Sequence, residues 1–506
     1  MFIIRGEIMK KYRYETILFI VDAICMILEL IASRILSPYF GNSNLVWTSV
    51  IGIILLSSSI GNYFGGKIAD KEYVTKKLKM ILAVSAITIL LIPLIKDKII
   101  ISIIQIILDI KIGAILATIF LFFIPSFFMG LLTPIIVKLK LDSLETAGEV
   151  SGRINAIATI GGIVGTFFGG FFLIPHFGSV SILFMITIVL LLIIPLVDFK
   201  FEKSYSIISI GIIIVTLILM YVNIMNNDFG GKSVLEGKKG CSVSLDTQYG
   251  RVMIYNSERN GKDIRILNID SGYESATFIK DEEKYELVFD YTKYYNLMFN
   301  SEKEIKDTLM IGGAGYGYPK YFISHFENLN MDVVEIDGEI TEIAKEYFYL
   351  NDLIEEYKIN ENQRLKFITE DGRTYLNRGE KKYDAILNDA FSGSSPAKTL
   401  TTLEAVQNIK KSLNENGVYL TNVISSLEGK NSKFLKAEVN TIKQIFKNVY
   451  VVPCEEEYTV EATGNLMVIA SDAELQIDNE YELKLEDDEL IITDDYCPVD
   501  ALIPQI

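Results

Sequence analysis

Four short segments rich in glycine or acid close successive apolar runs in the second half of this 506-residue chain. The first is Gly312-Gly313-Ala314-Gly315-Tyr316-Gly317. Glycines there let the backbone turn sharply and pass close to a ligand. The next run ends in Glu335-Ile336-Asp337. A carboxylate at that place, roughly 20 positions after the glycines, can accept hydrogen bonds from ribose hydroxyls. A third run ends in Glu370-Asp371-Gly372, where a carboxylate can reach an adenine amino group. The fourth ends in Asn388-Asp389-Ala390-Phe391 and leads into SGSSPAK, composed like a mobile lid. Taken singly, each segment reads equally as a tight turn or a solvated carboxylate. Taken in order, they read as a nucleoside site.

The elements that must carry these residues alternate. The strand-like runs are TLMIGG, MDVVEID, LKFITEDG, YDAILNDAF and GVYLTNVI. Between them YPKYFISHFENL, GEITEIAKEYFYLND and TLEAVQNIKKSLNENG have helical length and periodicity. Short apolar strands separated by helices predict a mostly parallel, doubly wound sheet, with ligands at the carboxyl ends of its strands. Upstream, RVMIYNSERNGKDIRILNID reads as two strands joined by a hairpin at SERNGKD, so a small β subdomain precedes the sheet.

Composition divides the chain near residue 225. Residues 1–225 carry 18 Lys+Arg against 13 Asp+Glu, and residues 226–506 carry 30 against 51. The acidic half excludes nucleic-acid binding through phosphates and suits cationic small molecules. The four cysteines, Cys25, Cys241, Cys454 and Cys497, form no CxxC pair, and the two histidines are His176 and His325. No metal site is expected from that inventory. Cys454 and Cys497 could pair if their domain lies outside the cell.

Apolar runs fill the first half, at about 16–37, 46–66, 78–95, 112–137, 154–174, 178–197 and 205–225. Each is near the ~20 residues that cross a bilayer. The first is followed by others, so it reads as a span and not as a cleaved leader. Ile99–Ile110, 12 residues, is short for a span. Glycines in GNYFGG and GGIVGTFFGG allow close helix packing. Asp22 and Glu29 fall inside the first run, on one helix face, where carboxylates are costly and often functional; Arg34 is a candidate partner. With seven spans and the N-terminus inside, 14 of the 18 Lys+Arg lie on the inner side, which places the acidic half outside. Counting Ile99–Ile110 as an eighth span reverses that placement.

The whole set of motifs resembles the membrane-fused branch of the spermidine synthase family. The resemblance rests on SRILSPYFGNSNLVWTSVIGIILL, GGKIADK and GRINAIATIGGIVGTFFGGFFLIPHFG in the first half. In the second half it rests on MIGGAGYG, VVEID, ITEDGRTYL, YDAILNDAF, NENGVYL and TDDYCPVDAL. It implies a multi-span helical membrane domain (1–225), a linker (226–240) and a small β subdomain (241–300). A Rossmann-like methyltransferase fold (301–506) would follow. The implied reaction moves an aminopropyl group from decarboxylated S-adenosylmethionine, a co-substrate and not a resident cofactor, to putrescine or a related amine, releasing methylthioadenosine. By position, Gly312, Gly313, Gly315, Glu335, Asp337, Asp371 and Gly372 would hold the nucleoside, with Glu335 on the ribose and Asp371 on the adenine. Asp389 would be catalytic. Asp270, Glu274 and Tyr285 would line the amine side.

Three departures stand out. The family's glycine loop carries an Asp where this chain has Gly315, and the family's Gln is matched by Glu274. The Tyr-His pair of the family has only Tyr285 and Glu286 near its place. The implied partners are an amine, the lipid bilayer and, left open, a second copy of the chain. A methyltransferase, or a polyamine sensor or transporter that binds without catalysis, remains as an alternative.

Overall fold

The computed structural model describes residues 2–40, 44–107, 109–141, 143–198, 203–226, 233–237, 240–270, 272–392, 395–455 and 458–504. The chain divides into two compact units: Met1–Leu235 with Val243–Val252, and Glu236–Ser242 with Met253–Ile506.

The first unit is helical. Its helices are α1 (Phe2–Phe40), α2 (Asn44–Ala69), α3 (Val74–Ile106), α4 (Ile110–Thr118), α5 (Ile124–Gly130), α6 (Leu132–Lys140), α7 (Ala147–Phe168), α8 (Ile174–His176), α9 (Ser179–Ile193) and α10 (Lys203–Asn226). One π-turn, Ile119–Phe123, joins α4 to α5, and another, Gly169–Leu173, joins α7 to α8; each is followed closely by a proline, Pro125 or Pro175. Among the described residues six segments are long and apolar enough to cross a membrane: Tyr12–Phe40, Asn44–Ala69, Val74–Ile106, Lys111–Lys140, Ala147–His176 and Ser179–Val197. The described side chains of α10 add the apolar stretch Ser209–Asn223. Ile99–Ile110 makes no span of its own, because residues to Ile106 continue α3 and Asp109 caps α4. This removes the eighth-span count.

The small residues act as the sequence predicts. A side chain at Gly161 or Gly165 of α7 would strike the main chain of Phe19 or Ala23 on α1, so the two helices approach to backbone contact. Arg34 corrects the expected pairing with Asp22 or Glu29. Its guanidinium donates instead to the carbonyls of Thr247, Gln248 (2.7 Å) and Gly250 (3.5 Å), within the same unit.

A five-stranded sheet, in sequence order, comprises β1 (Ser233–Gly237), β2 (Gly240–Asp246), β3 (Arg251–Arg259), β4 (Lys262–Ile269) and β5 (Gly272–Phe278). Asn260 and Gly261, both at positive φ, make the turn between β3 and β4, the geometry that an Asn-Gly hairpin favours.

The second sheet has seven strands: β6 (Asp307–Ile311), β7 (Asn330–Glu335), β8 (Leu365–Thr369), β9 (Tyr383–Asn388), β12 (Leu413–Ser425), β13 (Asn448–Pro453) and β14 (Gly464–Ser471). The two-residue strands β10 (Phe391–Ser392) and β11 (Ser395–Pro396) pair apart from it. Its order is β13-β14-β12-β9-β6-β7-β8. The five strands from β12 to β8 pair in parallel, and β14 and β13 add an antiparallel edge. The crossover helices are α11 (Gly317–His325), α12 (Gly338–Tyr347), α13 (Leu350–Glu356), α14 (Ile359–Asn362), α15 (Gly372–Arg378) and α16 (Leu403–Ser412), with α17 (Lys433–Lys443) before β13. Leu309, Ile311, Ile386 and Tyr419 of the sheet form one core with Val406, Ile409, Leu435 and Ile442 of α16 and α17. The doubly wound reading is thereby met, and the antiparallel edge is the feature it lacked. Cys454 and Cys497 are free thiols, not a pair.

Candidate active site

The glycine run leaves β6 as expected. Gly312 sits at φ +94°, and a side chain there would strike the Asp389 carbonyl, so only glycine fits. Asp389 returns the contact, its N–H donating to Ile311 O at 2.9 Å. The glycine loop and the end of β9 are thus stitched together by backbone alone.

Glu335, at the end of β7, holds the same loop from the other side. One carboxylate oxygen accepts from Gly313 N (2.8 Å) and Ala314 N (3.0 Å), the other from Asp337 N (3.1 Å). Burial raises this carboxyl above the ordinary glutamate range, and the three N–H donors oppose that rise. Asp337 and Asp371 each cap a helix, accepting from Glu339 N (3.1 Å) and Thr374 N (2.8 Å). Gly372 packs under Ile311 and Leu400.

Asp389 lies at the carboxyl end of β9. Strand β12 runs parallel to it with Thr421 opposite Asn388, so Asn422, still within β12, stands beside Asp389. Asn422 Nδ2 donates to Oδ1 at 3.2 Å, and the Tyr291 hydroxyl donates to Oδ2 at 3.1 Å. The buried Tyr295 turns its hydroxyl toward the same carboxylate without a well-formed hydrogen bond. Burial pushes the Asp389 carboxyl above the usual carboxylate range, while the Asn422 and tyrosine donors hold it down.

In front of Asp389 opens a cavity of about 320 Å³. Four carboxylates line it: Glu274, Asp290, Asp389 and Glu455. Arg259, also in the lining, is tied to Asp290 at 3.0 Å. Gly312, Gly313 and Ala314 form one wall; Tyr273, Tyr291 and Tyr318 supply rings. An acidic, partly aromatic cavity of this size fits a small cationic ligand.

Of the residues predicted from sequence, Gly312, Gly313, Glu274 and Asp389 meet in this lining. Glu335, Asp337, Asp371 and Gly372 stand outside it, at the carboxyl edges of β7 and β8. Asp270 is buried at the end of β4, at φ +51°. Gly315 is not among the residues that line the cavity. A side chain there would meet Ser275 Oγ at 2.6 Å and Phe348 at 3.2 Å. Tyr285 is also displaced: its hydroxyl donates to Glu356 at 2.9 Å, because ion pairs from Lys284 to Glu356 (2.7 Å) and Asp352 (3.1 Å) anchor that segment on α13. Of the expected lid, Gly393 and Ser394 lie outside the described residues. Sequence reasoning missed Tyr291, Tyr295, Asn422, Asp290 and Glu455. The i, i+4 tyrosines in DYTKYY were the one available signal.

Sheet order and glycine turn define the class: an α/β domain of the Rossmann-like methyltransferase fold, with an acidic cavity beside its glycine loop. Residues 293–476 match the Spermine/spermidine synthase domain. The chain is 30% identical over 177 residues to a polyamine aminopropyltransferase of Vibrio vulnificus, covering 34% of this chain and 52% of that one. It is 26% identical over 209 residues to that of Thermoplasma volcanium, covering 41% and 70%. The chain thus spans about half the length of the Vibrio relative. A probable spermidine synthase from Corynebacterium glutamicum, known as a crystal structure, superposes with a TM-score of 0.39 at 18% identity, over 47% of this chain and 82% of that one. These matches to the spermidine synthase family all lie in the second half of the chain, and the helical unit precedes them.

Proposed function

We propose that the second unit transfers an aminopropyl group from decarboxylated S-adenosylmethionine to a linear diamine such as putrescine. The observation that carries the reading is the buried Asp389 carboxylate, held by Tyr291 and Asn422 at the wall of an acidic cavity beside the glycine loop. In the step, a neutral amine nitrogen attacks the propyl carbon bonded to sulfur. The C–N bond forms as the C–S bond breaks, its electron pair leaves on sulfur as the thioether methylthioadenosine, and the amine proton passes to Asp389. A carboxyl raised by burial is better matched to that proton than an exposed aspartate. The cavity's carboxylates stabilise the cationic donor and acceptor. In this reading Glu335 holds the ribose and Asp371 the adenine. Neither residue needs a metal ion, since the sulfonium is itself a good leaving group.

A methyltransferase would have to admit the α-carboxylate of S-adenosylmethionine, which four cavity carboxylates oppose. The decisive assay offers purified full-length protein each donor with putrescine. Release of methylthioadenosine supports aminopropyl transfer; release of S-adenosylhomocysteine replaces it with methylation; binding without release leaves a sensor. The long apolar helices of the first unit support a membrane-anchored, multi-pass enzyme with the bilayer as its second partner.

A further inference from the structure

The proposed reaction leaves a second set of carboxylates unused, on the first helix. Glu15, Asp22 and Glu29 are seven apart on α1 and share one stripe of it. Glu15 is neutralised, with Lys140 at 2.8 Å and Arg153 at 3.6 Å. Asp22 and Glu29 are not. Glu29 is 9% exposed, and among the described residues neither an ion pair nor a hydrogen bond reaches it. One Asp22 oxygen is enclosed and likewise has no partner. Arg34, the basic residue nearest on α1, is spent on the carbonyls of Thr247, Gln248 and Gly250.

Between the two carboxylates a polar layer crosses the bundle. Cys25 faces Ser58 of α2 and lies within electrostatic reach of both Asp22 and Glu29. Ser58 in turn backs directly onto Gly130 of α5. One turn before Gly130, on the same face, Ser126 is fully buried and its hydroxyl has no partner. A buried hydroxyl with unmet bonding capacity is a separate sign that something polar belongs at this level.

Partnerless carboxylates inside a membrane segment are costly and mark a ligand or a path. Seven residues of helix at 1.5 Å each set the two acids about 10.5 Å apart. That span is close to the reach of an extended triamine and well beyond that of a four-carbon diamine. We propose that the helical unit binds a linear triamine cation. Its terminal ammonium groups rest on Asp22 and Glu29, and its central nitrogen rests on the layer of Cys25, Ser58 and Ser126. The site rests on the membrane reading of the first unit and is independent of catalysis in the second.

The test uses the full chain in nanodiscs of uncharged phosphatidylcholine, titrated with spermidine by calorimetry. Two binding events are expected, and Glu29→Gln or Asp22→Asn should weaken one of them about tenfold, the scale of one lost charge-assisted bond. Methylthioadenosine binding should be unchanged in both variants, which also reports that they fold. Unaltered spermidine binding in both, or putrescine binding as tightly as spermidine at the affected site, overturns the proposal. A series of α,ω-diamines on the unmutated protein needs no variant. Affinity should peak at the length that spans Asp22 to Glu29, and a flat series overturns the site. Failure of the transferase assay leaves this titration untouched, so the two readings fail separately.

Discussion

The Tyr291 hydroxyl donates at 3.1 Å to Asp389, a half-buried carboxylate 98 residues away in sequence. This contact is one of several that act on the titration of Asp389. Burial raises its pKa, and the Tyr291 and Asn422 donors stabilise the charged form. A base must be deprotonated to act, so transferase activity rises with pH through the Asp389 pKa. Tyr291→Phe removes a donor to the charged form and should move that acid limb to higher pH, with kcat lowered about tenfold at neutral pH. A pH profile of kcat/KM identical to that of the unmutated protein would separate Tyr291 from the base.

Asp389→Asn keeps the shape and the turn but not the charge. Turnover should fall about 10²-fold or more while methylthioadenosine binding stays nearly unchanged. A purely turn-capping Asp389 would tolerate the change, and full activity in the variant would leave only a binding role.

Glu335 accepts three backbone N–H bonds. Glu335→Ala orphans those donors and deletes the proposed ribose contact. Calorimetry with methylthioadenosine should show a loss of about 1–3 kcal/mol. Unchanged affinity would remove Glu335 from the nucleoside site.

Restoring the family's glycine-loop carboxylate by Gly315→Asp looks favourable from sequence alone. The structure sets a packing cost against that change, because a Cβ at 315 meets Ser275 Oγ at 2.6 Å and Ser275 Cβ at 2.8 Å. Gly315→Asp alone should lower the melting temperature by several degrees, the effect of about 1–3 kcal/mol of overpacking. Adding Ser275→Gly should recover most of the loss. A melting curve for Gly315→Asp that matches the unmutated protein would contradict the packing argument.

Glu438 of α17 is buried and one carboxylate oxygen has no partner; burial raises its pKa well above the usual glutamate range. The folded state therefore keeps a proton that the unfolded chain gives up. Its contribution to stability is fully present below the ordinary glutamate pKa and is lost as pH rises above it. Glu438→Gln removes the titration and should stabilise the protein at neutral pH by about 1–3 kcal/mol. The gain should vanish at acid pH, as chemical denaturation at two pH values would show.

Much of this protein is written in short-range order. The runs MDVVEID and YDAILNDAF announce strands, GEITEIAKEYFYLND announces a helix, and Asn260-Gly261 announces a hairpin. Periodicity and turn chemistry act over a few residues and survive without knowledge of the fold. The glycine loop, the acidic strand ends and the apolar helices were legible on those terms, and so was the place of Asp389 at the end of a strand, where it lines the cavity. What the tertiary structure alone decided is which groups share one space. Tyr291 reaches Asp389 from a separate segment, while Tyr285, six residues earlier, is drawn off to Glu356. Asn422 stands beside Asp389 only because Thr421 pairs with Asn388 in a parallel ladder, a register that no local pattern encodes. Gly315 faces Ser275, Arg34 is taken by three distant carbonyls, and among the described residues no cation pairs with Asp22 or Glu29. Burial and long-range packing set the dielectric around a carboxylate and the partner at its side. Those are properties of the assembled chain and not of any stretch of it.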